Sequence, residues 1–473
     1  MVFSSLLFIY FFLPIFLFIY YITPAKYKNI PALIASYIFY AWGEPSFVFI
    51  LLISSLADYV LSKLMFSTKK KKLFLVISII LNVGLLVIFK YACFFTTQLN
   101  MVLNLVGTVN LPVPNIVLPL GISFFTFQKL SYIVDVYRKN VKPADNFIGY
   151  ALYVSFFPQL IAGPIVRYHD VNKQLQSRSY SSERFCNGVF RFIIGLAKKV
   201  LIANYVAVIS RNIFQNYEYA SSWQIWLGAI AFSIQIYFDF SGYSDMAIGL
   251  GRMMGFEFLE NFNRPYTSKS ISEFWGRWHI SLCNWMSEYL YIPLGGNRKG
   301  TTRTYLNLWI VFLISGLWHG ASWIFLLWGA FHGAMLSIEK FIGKEKLNRI
   351  PSVLRNVFCL YLVVVSFVIF NSTSIHQLKV FLIKMHTVAF QNTSVTSLYW
   401  YNLCSKRTLA VLVIAILISV YPNKLWRAHI KTWGKISRIK KYIYTMVISI
   451  MLFLLSTMSL VSNGYNPFIY FQF

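Results

Sequence analysis

Long apolar runs separated by clusters of lysine and arginine make up most of this chain, and that alternation leaves few folds open to it. The runs lie at 2–21, 30–42, 47–64, 73–89, 116–134, 147–165, 192–209, 223–238, 306–317, 323–338, 358–370, 409–420 and 442–460. Several approach the roughly 20 residues that an α-helix needs to cross the hydrocarbon core of a bilayer. They lack the apolar–polar alternation of strands in a membrane barrel. Residue content agrees: 57% is hydrophobic and only 12% is charged, against about a quarter charged in a soluble domain. The reading is an all-α polytopic membrane protein, one integral domain over residues 1–473, built as a helical bundle of about 10–12 membrane segments. The first run has no basic residues before it and no Ala-x-Ala site, so it is expected to stay as a span and not to be cleaved as a signal.

Lys and Arg number 43 against 15 Asp and Glu, a net charge of +28. Such a balance suits nucleic-acid binding or the bias of multi-span proteins toward basic cytoplasmic loops. The basic residues fall between the apolar runs, which points to a lipid bilayer as partner and not to nucleic acid. Clusters at Lys69 to Lys72, at Arg138, Lys139 and Lys142, at Arg167 through Lys199, at Arg252 through Arg303 and at Lys424 through Lys441 should all be cytoplasmic. The second and third are separated by one run, 147–165, and one crossing would put them on opposite sides. Pro158, Gly163 and Pro164 interrupt that run, so a broken or re-entrant segment is expected there and again at 271–294, which is flanked by basic residues on both sides. Such backbone survives at membrane depth only against protein or a wet cavity, so two re-entrant pieces imply a tunnel within the bundle. The five cysteines have neither metal nor redox spacing, and no metal site is expected.

Polar side chains inside apolar segments are costly and mark candidate functional residues. Trp318-His319-Gly320 closes one run just before another. Histidine titrates near neutral pH and suits general-base work on a hydroxyl; the ordinary structural reading is a histidine hydrogen-bonded to a neighbouring helix. In Ser272-Glu273-Phe274-Trp275-Gly276-Arg277-Trp278-His279, helical spacing pairs Glu273 with Arg277 and puts Trp275 and His279 on one face. The structural reading there is an interfacial helix with an aromatic belt. In Phe238-Asp239-Phe240-Ser241-Gly242-Tyr243-Ser244-Asp245 two acids lie six apart, as a proton relay or donor-binding element, or as structural acids paired with Arg252 or Arg264. Asp58, Gln128, Lys129, Asp135 and His332 read as hydrogen-bonded groups inside the bundle, and His169 as isolated. No Gly-x-x-x-x-Gly-Lys, His-Glu-x-x-His or Gly-x-Ser-x-Gly motif occurs, so ATP hydrolysis, zinc proteolysis and serine hydrolysis lack support.

Over nearly all of its first 340 residues the chain resembles the membrane-bound O-acyltransferase family, most of all its bacterial alginate and peptidoglycan O-acetyltransferase branch. The resemblance is carried by core motifs within 118–335: Leu118-Pro119-Leu120-Gly121-Ile122-Ser123-Phe124, Phe157-Pro158-Gln159-Leu160-Ile161-Ala162-Gly163-Pro164, Phe238 to Ala247 as quoted above, Glu260-Asn261-Phe262-Asn263, Trp278-His279-Ile280-Ser281-Leu282, Tyr291-Ile292-Pro293-Leu294-Gly295-Gly296-Asn297-Arg298 and Gly316-Leu317-Trp318-His319-Gly320. Three positions, in two motifs, depart from the branch. Ser287 and Glu288 stand where it has Arg and Asp, and Gly276 stands where it has Arg in Trp-Arg-Arg-Trp.

The resemblance implies that His319 and His279 are catalytic, with Trp318, Trp278, Asn284, Asp239, Ser241, Tyr243 and Asp245 as candidates for lining the substrate path. It implies no bound cofactor, an acyl thioester such as acetyl-CoA as donor, and a polysaccharide acceptor reached through an exported SGNH-type acetyltransferase, in a bacterial cytoplasmic (inner) membrane. His319 would take the acceptor proton. His279 would donate to the developing oxyanion, hold the acceptor or set the tautomer of His319. Two other readings stand beside this one: D-alanyl or longer acyl transfer from a carrier protein, and a transporter using Asp58, Asp239 and Asp245 as a relay. No internal repeat of the kind transporters carry is visible.

Overall fold

The computed structural model describes residues 1–387, 404–463 and 468. Over these the chain is helical, with turns and irregular connections. Six helices are long and apolar enough to cross a membrane: Phe47–Ser67, Lys71–Leu105, Ser182–Gln215, Ser222–Met253, Ser352–Asn371 and Arg438–Ser462. A seventh is added if Lys406–Ser419 and Asn423–Lys435, bent by 75°, form one broken span. Phe49, Ile53 and Ile80 are each more than 60% exposed on the first two, apolar surface suited to lipid and not to water. The chain is a multi-pass membrane protein.

This count is below the roughly 10–12 read from the apolar runs, because several runs do not make one helix of spanning length. The first gives only the shorter helix Phe8–Ile22. Run 116–134 becomes helical only after Gly121, which adopts φ 76°, leaving the 16-residue helix Ile122–Tyr137. Run 147–165 breaks as expected. Its helix ends at Ser155, Phe156 leaves the helical region with ψ 111°, and Pro158 sits in the first turn of a four-residue helix, Phe157–Leu160, where its missing N–H costs little.

The Cα positions group into two compact units, one of Met1–Val189, Ala247–Leu259 and Gly320–Ser322, the other of Phe190–Met246, Glu260–His319 and Trp323–Phe473. In the first, Asp58 accepts from Ser78 Oγ at 2.5 Å and Asn82 Nδ2 at 2.8 Å, with Lys129 Nζ 3.8 Å away. Asp58, read from sequence as internal, is thus hydrogen-bonded, as burial in an apolar setting requires, whereas Lys129 Nζ meets it by charge alone and Gln128 Oε1 has no hydrogen-bond partner among the described residues. His169 is not isolated: its Nδ1 lies 2.8 Å from Asp135 Oδ2.

In the second unit, Thr301–His319 and Trp323–Ile342 form a helical hairpin, so the 306–338 stretch is two helices. The hairpin is close because Gly316 and Gly329 face it. A Cβ at Gly316 would collide with the backbone oxygen of Phe325, and one at Gly329 with that of Phe312. The 271–294 stretch breaks into Ile271–Trp275, Ile280–Met286 and a π-helical turn Ser287–Tyr291. Glu273 and Arg277 pair at 2.7 Å as expected. Trp275 and His279 do not share a helical face, because the helix ends between them. A Cβ at Gly276 would come no closer than 3.4 Å, to Glu273 O, an ordinary contact, so the backbone accommodates either this glycine or the arginine of the related branch.

Candidate active site

His319 is the last residue of Thr301–His319 and is 5% exposed. Aromatic rings enclose it: Trp318 at 4.9 Å between centroids, Trp328 at 5.0 Å and Phe370 at 5.2 Å. His279 is the N-cap of Ile280–Met286 and is 1% exposed. Its φ is 45°, a conformation rare for a residue with a Cβ and a form of local strain that collects at functional sites. Phe240 meets its ring edge-on at 4.7 Å, and the ring of Trp318 lies 6.2 Å away. The fold therefore brings the two histidines expected from sequence against one tryptophan, Trp318.

Asn261 supports the His279 turn. Its carbonyl O accepts from Ile280 N at 3.0 Å. Its Oδ1 lies 3.2 Å from His279 Nδ1 and accepts from Ser281 N at 3.2 Å and Ser281 Oγ at 2.9 Å. The side chain caps the N-terminus of Ile280–Met286 from elsewhere in the chain, satisfying a donor that the helix leaves open. Asn261 Nδ2 in turn donates to Ser244 Oγ at 3.1 Å. Sequence reasoning assigns neither Asn261 nor Ser244 a role. Asn261 lies within the quoted Glu260 to Asn263 motif, and only the return of that loop against 279–281 reveals what it does.

The acids of the Ser222–Met253 helix are ion-paired with cations from an earlier helix. Asp239 meets Lys199 at 2.7 Å, both almost fully buried. Asp245 takes Arg191 Nε at 2.7 Å and Lys198 Nζ at 2.6 Å, and Arg191 also holds Glu260 at 2.6 Å. The cations come from Ser182–Gln215, whose turn at Lys198 and Lys199 is π-helical. Arg264 instead donates to Asn423 Oδ1 at 2.6 Å.

The remaining candidate residues divide. Trp278 lies in the aromatic core, its ring 5.1 Å from Phe262 and 5.2 Å from Phe367. Tyr243 is buried against Phe468 at 4.6 Å. Ser241 is buried, and its hydroxyl has no hydrogen-bond partner among the described residues. Asn284 is exposed. Trp328, which sequence reasoning leaves aside, stands next to His319 and touches His332, read from sequence as a hydrogen-bonded internal group. Trp328 is 2% exposed, and its Nε1–H finds no acceptor among the described residues. His332 accepts from Trp275 Nε1 at 3.3 Å, and its ring is 4.9 Å from that of Trp328.

Two cavities approach this cluster. A vestibule of about 830 Å³ is lined by Lys269, Lys340, Lys344 and Arg355 together with Glu273 and Glu339. Both acids are engaged. Glu273 pairs with Arg277, and Glu339 accepts from the backbone N–H groups of Ile271 and Ser272. The four cations make no ion pair among the described residues, so the vestibule is electropositive. It shares Ser272, Tyr291, Leu308 and Leu336 with a mainly apolar slot of about 380 Å³. That slot is also lined by Leu282 and Cys283, on the helix that His279 caps, and by Ser315, one turn before His319.

Residues 34–345 match the family model described as "MBOAT, membrane-bound O-acyltransferase family". The chain is 40% identical to a "Probable alginate O-acetylase AlgI" of Pseudomonas putida over the full length of both. It is 39% identical to the peptidoglycan O-acetyltransferase of Helicobacter pylori over 72% of this chain and 70% of that one. With the teichoic acid D-alanyltransferase of Bacillus subtilis it shares 28% identity over 56% of this chain and 72% of that one.

Proposed function

Since the chain belongs to the membrane-bound O-acyltransferase family, we propose that it takes an acetyl group from a cytoplasmic thioester, acetyl-CoA, and passes it across a bacterial inner membrane for O-acetylation of an extracytoplasmic polysaccharide such as alginate or peptidoglycan. The observation that carries the proposal is the electropositive vestibule leading into an apolar slot that ends one helical turn from each histidine. Lys269, Lys340, Lys344 and Arg355 suit the phosphates of a nucleotide thioester. The slot suits its uncharged arm.

His319 and His279 are the catalytic pair. The oxygen of an acceptor hydroxyl attacks the thioester carbonyl carbon while its proton passes to an imidazole. The carbon–sulfur bond then breaks and the proton leaves with the thiolate. The near-complete burial of both histidines keeps water from competing as acceptor. An exported SGNH-type acetyltransferase then delivers the group to the sugar. The full-length identity to an alginate O-acetylase favours acetyl over D-alanyl, whose relative covers only part of this chain.

The test is purified protein in vesicles given acetyl-labelled CoA, wild type against His319→Ala. Label transferred or thioester consumed by wild type alone is the expected result. Equal turnover by a normally inserted variant overturns the role of His319, and consumption of a carrier-protein thioester in place of acetyl-CoA overturns the donor.

A further inference from the structure

The proton on the His279 imidazole can be placed from its surroundings. The Asn261 side-chain oxygen is distinguished from its nitrogen by the Ser281 backbone N–H, which can only donate and lies 3.2 Å from it. The amide nitrogen of Asn261 is turned the other way, to Ser244 Oγ at 3.1 Å. His279 Nδ1, 3.2 Å from the same oxygen, therefore faces an atom with lone pairs and no hydrogen. Two lone pairs at that distance would repel, so Nδ1 bears the proton. A neutral imidazole has one N–H, which leaves the lone pair of His279 on Nε2. The Ile280 N–H bond to the Asn261 carbonyl at 3.0 Å and the edge of Phe240 at 4.7 Å hold the ring in that pose.

We propose that Asn261 is a positioning residue that fixes His279 as the Nδ1–H tautomer, so that His279 acts through Nε2 as the proton acceptor of the pair and not as a donor to the oxyanion. The proposal rests on the acyl-transfer reading above and assigns the step within it. Nε2 takes the proton of the acceptor hydroxyl as the oxygen–carbon bond forms. The imidazolium keeps its Nδ1–H on Asn261, whose oxygen stabilises the added charge. The carbon–sulfur bond breaks, and Nε2 returns the proton to the thiolate. His319, near the same Trp318 ring, is left to polarise the thioester carbonyl. An acceptor side chain behind the base is the arrangement that orients a general base in nucleophilic catalysis.

Two measurements test this on the intact protein. With ¹⁵N-histidine labelling, the resonance lost in His279→Gln should show a proton bonded to Nδ1 and an unprotonated Nε2; a protonated Nε2 in the neutral ring overturns the proposal. In turnover of acetyl-CoA, Asn261→Ala should lower kcat on the order of 100-fold, the worth of one well-placed proton transfer, with KM for the donor within about twofold. Asn261→Asp, whose carboxylate also accepts from Nδ1–H, should restore kcat to within about fivefold. A wild-type kcat in the alanine variant, or an aspartate variant as slow as the alanine one, overturns the assignment. If the alanine variant does not accumulate, the aspartate variant and the tautomer measurement decide. Should the wild type ignore acetyl-CoA, the donor assignment fails and the tautomer measurement still judges this one.

Discussion

The indole of Trp328 meets the imidazole of His319 edge-on, with centroids 5.0 Å apart and planes at 86°. Trp328 also touches Trp275, His332 and Phe370, so it walls the histidine on the side of the aromatic core. Its Nε1–H, buried with no acceptor among the described residues, carries a desolvation cost of about 1–3 kcal/mol. Trp328→Phe removes that donor and keeps most of the wall. Thermal unfolding in detergent should show a midpoint equal to or above wild type, whereas Trp328→Ala should lower it by the equivalent of about 3–5 kcal/mol. A phenylalanine variant as unstable as the alanine one would show that the N–H is satisfied in the folded protein.

The hairpin that ends in His319 depends on two glycines. A methyl group added at Gly316 or Gly329 runs into the backbone carbonyl of Phe325 or Phe312, so either alanine must push the helices apart at the backbone. Gly316→Ala should cost about 1–3 kcal/mol as an overpacking change and displace His319, three residues on. Gly84, where an added methyl group meets open space, is the control. Loss of stability and turnover in Gly316→Ala with neither lost in Gly84→Ala is the expected pair of results.

Much of this arrangement is legible in the sequence, and the limits have physical causes. Trp318, His319 and the His279 turn stand out because buried polar groups in apolar runs are costly. The break at Pro158 is legible because proline and the residues around it restrict the backbone locally. Fewer helices reach spanning length than there are apolar runs, because hydropathy does not register a helix that starts late, as at Gly121, or stops early, as at Ser155. The partners of Asp239 and Asp245 are missed because Lys198 and Lys199 lie some 40 or more positions earlier, and only helix packing brings them alongside. Asn261 carries no chemical signal of its own, since an asparagine acts only through what it faces.

The Asp239–Lys199 pair separates a relay from a brace. Both side chains are about 2–3% exposed, and removing one partner leaves a buried charge, at a cost of about 3–5 kcal/mol. Asp239→Asn and Lys199→Met should each lower the unfolding midpoint, and the double variant should regain most of the loss, because an uncharged pair leaves no charge unpaired. Turnover by the double variant near the wild-type rate is expected of a brace. An inactive but stable double variant would show that the pair moves protons.

If the vestibule admits a polyphosphate thioester, its cations should act on binding and not on chemistry. Lys340→Glu combined with Lys344→Glu puts two negative charges in the vestibule wall that also carries Glu339. KM for acetyl-CoA should rise by at least about tenfold, about 1.4 kcal/mol, with kcat unchanged, and added salt should narrow the gap to wild type by screening. An unchanged KM would send the donor to another entrance.

His169 offers a test of the fold by pH. Its hydrogen bond to Asp135 raises its pKa above the ordinary value, with Asp170 adding to the effect and burial and Arg167 opposing it. A pKa higher in the folded than in the unfolded protein gives stability that is present in full below the unfolded value of about 6.5 and is lost as pH rises through the folded one. The destabilisation caused by His169→Gln, read as a shift in unfolding midpoint, should therefore be larger near about pH 5.5 than near about pH 8.5. Because glutamine can still donate to Asp135, the variant keeps the hydrogen bond and loses only the charge. A shift that is the same at both pH values would mean that His169 is neutral throughout and that Asp135 is held by its hydrogen bond alone.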